Sequence, residues 1–187
     1  SRLPTARDRA SGYAPLQTNC IRISYAGEPT DGLIIGTDAK GRWQAFGDNF
    51  PSRARLWLAS MDHPSRKAKV TFRVIAPAGR TVVANGQLVE SSLSAERGLT
   101  VWREDRAIPT YGMVIAAGPL AMLDLGRTAC GFAEDRGCVP QAVWHAPGVV
   151  ADMPGQFARA GQIVEFFARA IGEYPYEKLG HVQSSAR

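Results

Sequence analysis

"KVTFRVIAPAGRTVVANGQLVE", residues 69–90, decides the fold class. In its first half Val70, Phe72 and Val74 alternate with Thr71, Arg73 and Ile75. A period of two is the signature of a strand with one face buried. In its second half two β-prone runs meet at Asn85-Gly86. That pair is favoured where both central turn residues take positive φ, so the stretch predicts a hairpin. Upstream, "CIRISY" (20–25) sets Ile21 and Ile23 against Arg22 and Ser24 and predicts another strand. Downstream, "GLTVWRE" (98–104), "TYGMVIAAGPLAMLDLG" (110–126) and "QAVWHA" (141–146) supply more, with Pro109 and Pro119 as breaks. A proline donates nothing to a ladder.

The pattern changes after "APGVVADMPG". Phe157, Ala160, Val164, Phe167, Ala168 and Ile171 recur at helical spacing. Pro154 suits a first turn, and Gly172 followed by Pro175 marks the stop. The expected fold is therefore mainly β: an antiparallel β-sandwich or saddle-like sheet domain, followed by one C-terminal amphipathic helix. Residues 1–18 read as an irregular segment, 19–150 as the β domain, and 151–187 as a linker and helix. One helix cannot bury its stripe alone. It needs the sheet, a further domain or a second copy, which makes a homodimer through this helix one expectation.

Composition narrows the function classes. The chain has 187 residues, 45% hydrophobic and 21% charged, as in a soluble domain, or one domain plus a piece of another. No run approaches the roughly 18 apolar residues of a membrane helix. The first 18 residues lack the apolar segment of a signal peptide, which leaves a trimmed secreted protein open. The net charge of +5 comes mostly from scattered arginines. Arg53, Arg55, Arg66, Lys67 and Lys69 are the nearest thing to a cluster, without the aromatic interleaving of a nucleic-acid footprint. No nucleic-acid partner is expected.

Cys130 and Cys138 flank a short polar loop, "GFAEDRG". They read as a disulfide, and so as an oxidising compartment, periplasmic or extracellular. The competing reading is a metal site with His145; it lacks a C-x-x-C knuckle and a nearby fourth ligand. Cys20 is left over as a buried thiol. H-E-x-x-H, G-x-S-x-G and a phosphate-cradling glycine loop are absent from the sequence.

The strip "GDNFPSRARLWLASMDHPSRKAKV" (47–70) holds Asp62-His63-Pro64. An acid–base pair is one reading. A turn is the other: Asp62 accepts backbone N–H groups, Pro64 holds His63 extended, and Arg55 pairs with the carboxylate. The second reading needs no further residues, and Arg55 and Asp62 are expected to be structural.

Phe46, Asp48, Pro51, Ala54, Arg55, Asp62, Pro64, Lys67 and Ala68, then Pro77, Gly79, Val82, Asn85 and Gly86, resemble the N-terminal β domain of zinc aminopeptidases of the aminopeptidase N and leukotriene-hydrolase type, the gluzincins. "AIPTYGMVIAAGPLA" is similar to a strand near the end of that domain. "IVEFFARAIGEYPYEKLGHVQSS" resembles the first helix and the Y-P-Y-x-K-L segment that open the family's thermolysin-like catalytic domain. The resemblance implies a parent enzyme that removes N-terminal residues from peptides with a zinc ion. The zinc ligands and base of H-E-x-x-H, and the substrate-amine carboxylate of G-x-M-E-N, would lie past Arg187. It implies a fragment lacking its first strands and its catalytic partner domain. It implies no catalytic or metal residue here and no cofactor of its own. A family Gln or Glu that reaches the substrate falls at about Phe50, so Asp48, Asn49 and Phe50 are the substrate-binding candidates. A different class, a stand-alone β-sandwich module for peptide, glycan or protein, is the alternative.

Overall fold

The computed structural model describes residues 21–128, 139–148 and 153–183. These form strands β1 (Leu33–Thr37), β2 (Trp43–Gly47), β3 (Ala68–Pro77), β4 (Thr81–Ala84), β5 (Gln87–Leu93), β6 (Arg97–Ile108), β7 (Ile115–Gly118), β8 (Ala121–Thr128), β9 (Val139–His145) and β10 (Leu179–Val182). Helices α1 (Met153–Gln156) and α2 (Ala160–Ala170) lie between β9 and β10. Three sheets result, ordered β1-β2-β7-β4, β3-β6-β5 and β10-β9-β8. All pairings are antiparallel except β10 on β9. The fold is mainly β with its helix near the C-terminal end, as the alternation predicts.

One core serves all three sheets. Phe46 and Val83 come from the first, Phe72 and Trp102 from the second, and Trp144 from the third, joined by Ile108. Trp102 meets Trp144 edge-on at 6.5 Å, and its indole N–H donates to the Val82 carbonyl at 3.0 Å. Each such aromatic contributes about 2–3 kcal/mol by leaving water. On β3 the buried positions are Phe72 and Ala76, while Ile75 is 65% exposed on the outer face.

Three expectations need correction. First, Asn85-Gly86 does not close a hairpin. Strand β4 pairs with β7 and β5 pairs with β6, so the turn is a corner between two sheets. The Asn85 side chain makes that corner: its Nδ2 donates to Gly112 O and its Oδ1 accepts Val114 N–H, both at 2.8 Å. Gly86 sits at φ +79, where a Cβ would come 1.9 Å from the Arg103 carbonyl. The glycine serves close backbone approach as well as handedness.

Second, residues 21–29 form no strand, and Ile21, Ile23 and Tyr25 are largely exposed. Alternation makes a strand only where a neighbour completes the ladder and a face covers the apolar residues. Third, the helical stripe is narrower than its periodicity. Val164 and Ala168 are buried, whereas Phe167 and Ile171 are more than half exposed. The helix approaches β8 through Gly161, whose backbone lets Thr128 Oγ1 come within 2.9 Å of its carbonyl. Strand β10 was not foreseen. Cys20, Cys130 and Cys138 lie outside the described residues.

Candidate functional site

The strip from Asp48 to Asp62 folds as a loop and a 3-10 turn at Ala54–Leu56 rather than as a strand. Its residues go to different tasks. Asn49 is buried, with its amide fully engaged. Nδ2 donates to the Thr110 and Met113 carbonyls, and Oδ1 accepts the Trp57 indole N–H at 2.7 Å. This side chain ties the loop to the turn after β6. Asp48 is half-exposed and ion-paired with Arg53, which also reaches Asp31 at 3.1 Å. Phe50 is 66% exposed and stands edge-on to Tyr111 at 6.0 Å. Of the three substrate-binding candidates, Asp48 and Phe50 therefore face outward, and Asn49 belongs to the scaffold.

Asp62 is the anchor of the strip. Its carboxylate accepts the Thr110 hydroxyl at 2.6 Å, the Arg55 backbone N–H at 3.1 Å, and Arg55 Nε at 3.4 Å. Burial works against its ionisation. The Thr110 and Arg55 donors outweigh burial and hold the carboxyl below the usual carboxylate range. His63 bonds Ser65 Oγ at 2.8 Å rather than Asp62, so the described geometry contains no Asp62–His63 acid–base pair.

Beside this strip opens a cavity of about 420 Å³. One wall is the first sheet, with Phe46, Val83 and Ala116; the other is the segment from Tyr174 to Val182. Tyr111, the partner of Phe50, stands at the junction and connects the two regions. Size and mostly apolar lining fit a ligand or polypeptide cleft.

The polar groups of this cleft were invisible to sequence reasoning. Glu104, on β6, is 2% exposed. Its Oε1 accepts the Arg106 backbone N–H at 2.8 Å, and its carboxyl contacts that of Glu177. Burial pushes Glu104 up to about 7; the neighbouring Glu177 adds to the rise, and Arg106 N–H and Lys178 oppose it. Lys178 donates from Nζ to the Ala84 and Gly86 carbonyls and lies 4.3 Å from the centre of the Trp102 ring. Loss of water brings it down to about 8, against the pull of Glu104 and Glu177. Burial likewise raises Tyr174 and Tyr176. A buried acid among alternating "WRED" residues could be found only by knowing what packs over it.

Among the described residues no three His, Cys, Asp or Glu side chains group closely enough to hold a metal ion. Among the described residues the donor set does not fit a zinc centre.

The Peptidase M1 N-terminal domain family matches residues 19–111. No curated protein matches the chain. Among solved structures, an M1 zinc metallopeptidase from Deinococcus radiodurans is similar at 21% identity and TM-score 0.68, over 81% of this chain and 34% of that one. A two-domain M1 zinc metallopeptidase mutant bound to L-tryptophan is similar at 23% identity and TM-score 0.68, over 86% and 36%. Another, bound to L-arginine, gives 22% and 0.68, over 88% and 37%. The chain thus spans about a third of the length of these structures, whose likeness is one of fold.

Proposed function

We propose, for a chain that carries the N-terminal domain of the M1 zinc metallopeptidases, that it is the non-catalytic β portion of a zinc-dependent aminopeptidase. The single observation that carries this reading is the Asp48–Pro51 loop, pinned by Asn49, whose Phe50 stands edge-on to Tyr111 in the wall of an open cleft. The domain shapes that cleft, and a downstream catalytic domain supplies the metal. Support comes from the family match over residues 19–111 and from the amino acids bound in two of the similar solved structures. The Cys130–Cys138 bond, and with it a periplasmic or extracellular site of action, belongs to the same proposal.

The test is a pair of substitutions in the protein extended through its downstream reading frame. Asp48→Ala and Phe50→Ala should raise KM for an aminoacyl anilide about threefold to thirtyfold, the range of one lost contact of about 1–2 kcal/mol. The turnover number should hold. Unchanged KM in both variants would remove the loop from the cleft.

A further inference from the structure

We propose that Glu104, Glu177 and Lys178 form a proton-dependent latch that holds the Tyr174–Lys178 segment over the cavity and frees it when the proton leaves. The proposal does not depend on the aminopeptidase reading.

The latch has two jaws. In one, the Lys178 ammonium reaches from the segment to the Ala84 and Gly86 carbonyls of the corner between sheets, against the Trp102 face. Those carbonyls flank Asn85, where the chain leaves β4 and so cannot pair onward in that sheet. The jaw is a cation closing on backbone acceptors, and it is insensitive to pH until the amine titrates.

The other jaw is the carboxyl pair. Glu177 Oε2 is buried, and among the described residues no donor reaches it. Two ionised carboxylates have no proton between them. A proton on Glu104 satisfies both acids and joins β6 to the segment. When the proton leaves, the buried Glu104 carboxylate faces the half-buried Glu177 beside one ammonium, and like charges in low dielectric repel. Exposing the segment to water relieves both.

From Leu179 onward the chain is held by the β10–β9 ladder, so the latch acts on Tyr174–Lys178, and around that stretch the carboxyl pair is in control. On β6 the side chains of Arg103 and Asp105 pair with each other on the outer face, and Arg106 offers its backbone N–H. On β3, Val70 lies opposite Glu104, and Arg73 is paired with Glu90 of β5. From the segment, Tyr174, Tyr176, Glu177 and Lys178 face the acid; Tyr111 faces Tyr176 from the turn after β6. Both tyrosines of the segment are raised by burial, so Glu104 titrates first.

The consequence is access. Tyr174, Tyr176 and Lys178 of this segment line one side of the cavity. Release of this segment widens the cleft, and closure narrows it. Proton binding and occupancy of the cleft are then linked.

Hydrogen exchange of the 172–178 backbone tests the proposal, with intrinsic pH dependence removed. Opening of the wild-type chain should increase by up to about tenfold per pH unit between pH 5 and 7, one proton being released. It should level off above that. In Glu104→Gln the amide donates permanently to Glu177, and opening should not change over this range. Glu177→Gln removes the facing carboxylate but leaves Glu104 buried, so the rise should shrink rather than vanish, and this variant stands in if the first fails to fold. A pH-independent wild type, or a slope unchanged from wild type in both variants, would overturn the latch.

Discussion

Asp62 shows how one buried acid organises the busiest strip of the chain. Replacing it with Ala leaves the Thr110 hydroxyl and the Arg55 N–H without their acceptor. A loss of about 1–3 kcal/mol is expected by denaturant unfolding at neutral pH. The sign with pH follows from its lowered folded-state pKa. The stabilisation is complete above the unfolded carboxylate range and disappears as pH falls through the folded one. Asp62→Asn should therefore unfold less steeply than wild type below pH 4. An unchanged acid limb would mean the carboxylate is not the anchor. Gly86 makes a second case, by contrast with Gly79. Both have positive φ, but only at Gly86 does a Cβ strike backbone, at 1.9 Å from Arg103 O. Gly79→Ala should cost about 1–2 kcal/mol from conformation alone. Gly86→Ala should cost about 3 kcal/mol or more, or prevent folding. Equal losses at the two sites would refute the close-approach account.

The strands show where local pattern suffices and where it does not. Strand β3 was legible because it buries one face, so its period appears in the residues themselves; β6 and β9 bury neighbours on both faces, Val101 with Trp102 and Val143 with Trp144, and were legible from their β-prone residues. The Asn85-Gly86 turn was legible as a turn but not as a corner. Its partners, Gly112 and Val114, come from almost thirty residues later. Residues 21–25 have a strand's pattern without a strand's neighbour. Glu104 was hidden for the opposite reason: a charged residue becomes a core residue only when Tyr174–Lys178 folds over it. That arrangement should govern stability between elements. Glu104 is raised in the fold, so its stabilisation is complete below the unfolded range near pH 4.5 and is lost as pH rises through about 7. Lys178 is lowered, so its contribution returns as pH rises from about 8 towards its unfolded value. Unfolding free energy should pass through a minimum between these values. Glu104→Gln should abolish the acid-side slope and gain about 1–3 kcal/mol at pH 8. A monotonic profile in wild type would contradict the assignment.

At the scale of the molecule, the packing leaves work undone. Helix α2 buries Val164 and Ala168, while Ile163, Phe166, Phe167 and Ile171 stay at least half exposed. A stripe of this kind marks an interaction surface, and the proposed catalytic domain is its natural cover. The isolated chain should therefore self-associate in light scattering, and Phe166→Ser with Ile171→Ser should return it to a monomer. A monomeric wild type would show the face to be tolerated in water. The division of labour between a supporting β domain and a metal-bearing remainder is tested most directly by zinc content and aminoacyl-anilide hydrolysis. These should be measured side by side on the 187-residue chain and on the chain extended through its downstream reading frame. The account predicts neither property in the first, and stoichiometric zinc with chelator-sensitive hydrolysis in the second. Hydrolysis by the 187-residue chain, or none by the extended protein, would contradict it.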